Sequence, residues 1–265
     1  MQLLLILAYA TNGGTLLMDA LALLKRIRNE GHTKVTAPPS RAASHQPPPP
    51  NMSEASVKHW TLMTLPLDLV LYAREIVTPG YETNILAWGA AMTLSNSWTA
   101  LRHRRLLSLT RDSWPTWLHQ LAVQLTDAGI FPATQLPNHA LINHYEPGEG
   151  ILAHTDGPGY APVTATISFG SPALMHFSER RNDTNTPIAE VLLEPRSLLV
   201  FKSKAYTHML HAIDEVTVER VGDTATCINA DLAEISEGSE VRRHTFRISV
   251  TFRHALPSTT LPVSA

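Results

Sequence analysis

From residue 139 to residue 253, short apolar segments alternate with breaks that carry glycine, proline or charge. Eight of them read as strands: 139–145, 151–155, 163–169, 173–178, 188–193, 197–201, 206–213 and 245–253. Many short strands punctuated by turn signals predict two packed sheets, a double-stranded β-helix of the jelly-roll type. The last segment is the most regular. Phe246, Ile248, Val250 and Phe252 share one face, and Arg247, Ser249, Thr251 and Arg253 share the other. Glu146-Pro-Gly-Glu-Gly150 marks a turn after the first strand. Upstream the period changes: Leu69–Tyr72 suggests a short strand, Tyr81–Met92 a helix, and Trp114–Leu125 a second helix with Trp117, Leu121 and Leu125 on one stripe. The fold class is α+β, mainly β, with helices flanking the jelly roll. Glu179–Thr186 is read as a hairpin loop, and Asp214–Arg243 as a long, polar, flexible insertion.

The first fifty residues break this pattern. Met1–Ala10 is a short apolar run with no basic residue ahead of it, and Thr11-Asn-Gly-Gly14 and Asp19 interrupt the apolar character beyond it. A signal peptide stays open as a reading, although the run lacks a basic n-region and is short for an apolar core, and it does not span a membrane. Leu16–Arg28 has an amphipathic helical pattern, and Ala37–Pro50, ending in four prolines, is a linker. The predicted organisation is an extension with a Pro-rich linker over 1–51, expected to be disordered, then helices, a strand and a substrate lid over 52–138. A catalytic core occupies 139–255, with a flexible tail over 256–265. Composition adds little beyond exclusions. A net charge of −2 argues against a uniformly basic nucleic-acid binder. A single cysteine, Cys227, excludes a disulfide framework and a cysteine-based zinc site.

His154-Thr155-Asp156 carries the chemistry. In an extended strand residues i and i+2 point to one side, so the imidazole and the carboxylate can reach one metal. His211, on a later strand, would complete the two-histidine, one-carboxylate set of a non-haem iron(II) oxygenase. His208 stands three residues earlier and points to the opposite face of a strand, so only one of the two serves. With 13 histidines in the chain the triplet alone is weak evidence. The last strand adds to it. Arg247 and Arg253 share its polar face, with Cα atoms roughly 20 Å apart. If that face lines an interior, both guanidinium groups need anions. A gap of about 6–8 Å between their heads suits a five-carbon dicarboxylate such as 2-oxoglutarate. Asn143 and Tyr145 share a face of the first strand and offer an amide and a phenol to the same ligand.

The string Asn143-His-Tyr-Glu-Pro-Gly-Glu-Gly-Ile-Leu-Ala-His154-Thr-Asp156-Gly-Pro-Gly-Tyr160 resembles the signature of the AlkB family of iron(II)/2-oxoglutarate dioxygenases. Leu193–Val200 and Ala205–His211 bring it nearest to the animal homologue-six branch, and the resemblance covers roughly residues 64–255. It implies iron(II), 2-oxoglutarate and O2, with His154, Asp156 and His211 as metal ligands and no catalytic residue beyond them. The family places its third ligand after an apolar pair, here Met209-Leu210, which favours His211 over His208. Asn143, Tyr145, Arg247 and Arg253 match the 2-oxoglutarate contacts, with Arg247 on the distal carboxylate and Arg253 near the iron. The implied reaction is oxidative N-demethylation of a nucleic acid by a soluble, monomeric protein of the cytoplasm and nucleus, with no membrane partner.

On the substrate side, Arg102, Arg104, Arg105 and Tyr160 are the candidates. Arg102-His-Arg-Arg105 near Trp98 could track a phosphate backbone while an aromatic stacks on a base, although such runs more often form a solvated face. The glycine- and tryptophan-containing lid loop expected after Trp98 is shortened, with Leu106–Thr110 in its place. That departure keeps two alternatives open: a non-catalytic or weakly active nucleic-acid-binding protein of the same fold, and a dioxygenase acting on protein. A zinc hydrolase on a similar barrel would have no need of the paired arginines.

Overall fold

A computed structural model describes residues 63–64, 70–156, 159–179, 187–222 and 226–257. The expected extension and linker over 1–51, most of the 179–186 loop and the tail from residue 258 lie outside them. All described residues belong to one compact unit, residues 46–265. The strands are β1 Met63–Thr64, β2 Val70–Ala73, β3 Thr99–Leu101, β4 Arg104–Thr110, β5 His139–Tyr145, β6 Ile151–His154, β7 Val163–Gly170 and β8 Ala173–Glu179, then β9 Ala189–Leu193, β10 Leu198–Lys202, β11 Met209–Ile213, β12 Val218–Arg220, β13 Glu240–Arg242 and β14 Arg247–Arg253. The helices are α1 Pro79–Leu94, α2 Thr116–Asp127, α3 Lys204–His208 and α4 Ala230–Ala233.

An eight-stranded sheet in the order β1-β2-β10-β7-β14-β5-β4-β3 faces a four-stranded sheet in the order β6-β11-β8-β9. All of their pairings are antiparallel. Apart from the β8–β9 hairpin, which stays in the smaller sheet, strands β5 to β11 and β14 alternate between the sheets as the chain advances, which is the double-stranded β-helix expected from their number and spacing. The alternation of β14 has the predicted consequence. Ile248, Val250 and Phe252 turn outward from the barrel into an apolar layer with α1 and α2, where Ile85, Trp88, Trp117, Leu118 and Leu121 meet Ile167 and Phe169 of β7. A second apolar cluster, with Phe177, Val191, Leu199, Phe201 and Ile213, fills one end of the space between the sheets. All seven residues of β14 are buried, so its polar face lines an interior and not solvent.

Helix α1 starts where its sequence says it should. Thr78 caps it by accepting the Tyr81 N–H, and Pro79 occupies its first turn. Glu82, 8% exposed, ties the helix to the sheet by accepting the Gly170 N–H at 2.9 Å and pairing with Arg196 at 2.8 Å.

Three expectations are corrected, and one segment gains its structure. Residues 206–213 are not one strand: Ser203, at φ +53°, turns the chain into α3, and extension resumes only at Met209. Leu106–Thr110, which stands in place of the expected lid loop, is part of β4, paired with β5 from Arg105 to Thr110. Trp98 is not free to stack on a base, being 8% exposed and packed on Trp88 and His144. The 214–243 segment contains β12, α4 and β13, and it buries Glu219 and Arg243 against each other. Arg243 also donates to the Glu149 and Asp214 carbonyls, pinning this excursion to the turn after β5. Among the described residues no helix is long and apolar enough to cross a membrane.

Candidate metal centre

Strands β6 and β11 are neighbours in the smaller sheet, and their register places His211 directly opposite His154. Their rings lie 4.2 Å apart. Asp156 stands two residues after His154, beyond the end of β6, and its Oδ1 lies 3.9 Å from His154 Nε2 and 3.8 Å from His211 Nε2. One donor atom from each residue falls within 4.8 Å of the others, a spacing that three ligands of one metal ion require. His208 is not part of this group. It ends α3, exposed, with Nδ1 2.6 Å from Thr207 Oγ1.

Each side chain of the cluster is oriented by a neighbour. His154 Nδ1–H donates to the Leu152 carbonyl at 2.8 Å, which leaves Nε2 as the basic nitrogen facing the centre. His211 is 7% exposed and lies against Phe177 and Phe201. Burial pushes its imidazole down to about 4, so it is neutral at pH 7, the ligating form. Burial alone would raise the Asp156 carboxyl. The Arg253 guanidinium, His211 and the Thr164 hydroxyl outweigh it and hold the group below the usual carboxylate range. Arg253 pairs with Oδ1, and Thr164 donates to Oδ2 at 2.9 Å.

The centre opens into a cavity between the sheets. Asn143 and Tyr145 of β5, Thr166 of β7 and Arg247, Ser249, Thr251 and Arg253 of β14 form its polar wall. Leu141, Ile151, Met175, Phe201 and Ile213 form its apolar wall. Arg253 sits at the metal end. Arg247 is 3% exposed, with Nη2 on Ser168 Oγ at 2.9 Å and its guanidinium 5.4 Å from the Tyr145 ring centre. Burial pushes the Arg247 guanidinium down to about 10, still charged at neutral pH. The Nε atoms of both arginines are buried without a hydrogen-bond partner. A second buried cation with no acidic partner in contact fits a dicarboxylate lying along the wall.

Of the other sequence candidates, Tyr160 lies at the Arg253 end, its ring centre 5.1 Å from that guanidinium and 5.2 Å from the His139 ring. The basic run does not form one face. Arg102 is exposed at the β3–β4 turn, Arg104 reaches Asn143, and Arg105 lies against His144 and Glu146. Thr164, Thr166 and Ser168 were missed. Their alternation with Ala165, Ile167 and Phe169 matches that of β14 and was readable in the same way.

Comparison with known proteins agrees with this geometry. The family model for the 2OG-Fe(II) oxygenase superfamily matches residues 83–253. A Danio rerio protein named "Probable RNA/DNA demethylase ALKBH6" is 30% identical over 175 residues, 59% of this chain and 73% of that protein. An uncharacterized mimivirus protein, L905 of Acanthamoeba polyphaga mimivirus, is 30% identical over 146 residues, 54% of this chain and 59% of that one. The solved structure of OsALKBH1 covers 74% of this chain and 99% of its own at 15% identity, with a TM-score of 0.49. The extent of the family match and the coverage of the Danio rerio relative decide the assignment: the chain belongs to the AlkB family within the 2OG-Fe(II) oxygenase superfamily and is a dioxygenase that uses iron(II), 2-oxoglutarate and O2.

Proposed function

We propose that His154, Asp156 and His211 hold the iron, that Asn143, Tyr145, Arg247 and Arg253 hold 2-oxoglutarate, and that the enzyme removes N-methyl groups from a nucleic acid. The observation that carries this reading is the sharing of one buried cavity by a three-ligand cluster and two arginines. The bound metal and cosubstrate supply the oxidising power to hydroxylate a C–H bond, with succinate and CO2 as co-products. Hydroxylation of an N-methyl carbon gives an N-hydroxymethyl group that leaves as formaldehyde.

The protein's part is orientation and exclusion of water. The Leu152 carbonyl and the Thr164 hydroxyl fix which ligand atoms face the metal. Arg247, backed by Ser168 and Tyr145, offers the fork that receives the distal carboxylate. Phe201, Met175 and Ile213 keep the apolar wall dry. The nucleic-acid substrate is supported by the name of the Danio rerio relative and by a Xenopus tropicalis relative named as a tRNA methyltransferase, 28% identical over 123 residues, 44% of this chain and 18% of that protein. Arg102 supplies an exposed cation at the β3–β4 turn.

The test is incubation of the purified protein with N-methylated oligonucleotides, 2-oxoglutarate and iron(II) in air, reading succinate and formaldehyde. Both should form, should require iron and O2, and should vanish in Asp156→Ala. Succinate without formaldehyde from any methylated oligonucleotide would keep the dioxygenase and remove the nucleic-acid substrate.

A further inference from the structure

We propose that Arg104 is a positioning residue for the cosubstrate, fixing the Asn143 side-chain amide so that its NH2 group faces the cavity. The proposal rests on the reading of that cavity as a 2-oxoglutarate site and goes a step past it. Strand β4 runs beside β5, with Leu106 opposite Asn143 and Arg105 opposite His144. Side chains alternate, so Arg104 falls on the inner face with Asn143, and Arg105 on the outer face with His144. The two neighbouring arginines therefore do different things.

Arg104 Nε lies 3.0 Å from Asn143 Oδ1. A guanidinium N–H can only donate, so the amide atom turned toward it must be the oxygen. Asn143 is 4% exposed and lines the cavity, and its Nδ2 has no hydrogen-bond partner in the protein among the described residues. Both hydrogens of that nitrogen are left for a ligand on the wall that Arg247 and Tyr145 share. A carboxylate accepts from an NH2 group and is repelled by a carbonyl oxygen. The flip of this one amide thus decides whether Asn143 attracts or repels the cosubstrate. Arg104 itself is not among the residues that line the cavity, so it acts through Asn143.

The test is a calorimetric Kd for 2-oxoglutarate on the full chain loaded with manganese(II), for wild type, Arg104→Met, Asn143→Ala and the double variant. Arg104→Met should weaken 2-oxoglutarate roughly tenfold, the value of a hydrogen bond to a charged group. Its manganese affinity should be unchanged. Asn143→Ala should weaken the ligand to a similar extent, and the double variant should bind no worse than Asn143→Ala, because the second change has nothing left to act through. Arg104→Lys, which keeps a donor-only head, should recover most of the affinity. A double variant weakened by the product of the two single effects would show that the Arg104 charge acts on the ligand directly, and the proposal would fall. Wild-type binding by Arg104→Met would also sink it. Arg247→Met run in parallel separates the two levels: undiminished 2-oxoglutarate binding there would overturn the cosubstrate site itself, and this inference with it.

Discussion

At the scale of the residue, the candidate metal centre depends on how its neighbours orient each side chain. Thr164 donates to Asp156 Oδ2, while Oδ1 faces both imidazoles and also receives the Arg253 guanidinium. Thr164→Val keeps the shape and removes the donor, so iron(II) affinity should drop about tenfold or more with the fold retained. Wild-type affinity in a metal titration would show that Arg253 alone holds the carboxylate. The same burial that prepares His211 for ligation has a cost in acid. In the unfolded chain this imidazole titrates near its ordinary 6.5, whereas in the folded protein it resists protonation down to about 4. Between those values the unfolded chain takes up a proton that the folded one refuses. The stability involved is present in full above pH 6.5 and is lost as pH falls toward 4. His139 and His144, also lowered by burial, act in the same direction, while His176 is raised and opposes them. The readout is therefore a difference: metal-free His211→Asn should lose less of its denaturation midpoint between pH 7 and pH 4.5 than metal-free wild type. Equal losses would mean that the imidazole is not held neutral.

At the scale of the element, what could be read in the sequence depended on whether a pattern was local. The faultless alternation of β14 announced both its faces, and the capped start of α1 lay close to the helix expected over 81–92. The triad was legible because His154 and Asp156 are near neighbours on one segment. Which histidine joins them in space is visible only in the fold, since a positive φ at Ser203 starts α3 and removes His208 from the strand. Strand β4 went unassigned because its partner, β5, begins 29 residues later, and nothing within Leu106–Thr110 points to it. The 214–243 excursion looked flexible because it is polar, but Glu219 and Arg243 satisfy each other and can be buried together. Turns carry a sharper constraint. Gly170 ends β7 at φ +82°, and a Cβ there would lie 2.3 Å from the Phe246 carbonyl oxygen. Backbone cannot yield as a side chain can, so Gly170→Ala should lower stability by about 1–3 kcal/mol. A denaturant midpoint equal to that of wild type would show that the loop into β14 relaxes freely.

At the scale of the whole molecule, a chain with a net charge of −2 must meet a polyanion through local charge and not through its overall field. The basic run at the β3–β4 hairpin is the proposed local source, and the structure divides it. Arg105 Nη1 lies 3.3 Å from Glu146 Oε1 and 3.2 Å from His144 Nδ1, so its charge is already engaged. Arg104 is turned to Asn143. Arg102, at the exposed turn, has no ion pair or hydrogen bond among the described residues. Each phosphate neutralised by a cation releases condensed counterions, and the log–log salt slope of binding counts those contacts. For a single-stranded or duplex oligonucleotide, Arg102→Ala should reduce the slope by roughly 0.7–0.9, one contact's worth, and weaken binding alike across sequences. Arg105→Ala should leave the slope unchanged. A loss in both variants would mean that Arg105 abandons Glu146 when nucleic acid arrives and that the hairpin grips as a unit. No change in either would place the nucleic-acid path elsewhere on the surface, while succinate formation, set by the buried cavity, should persist in both proteins.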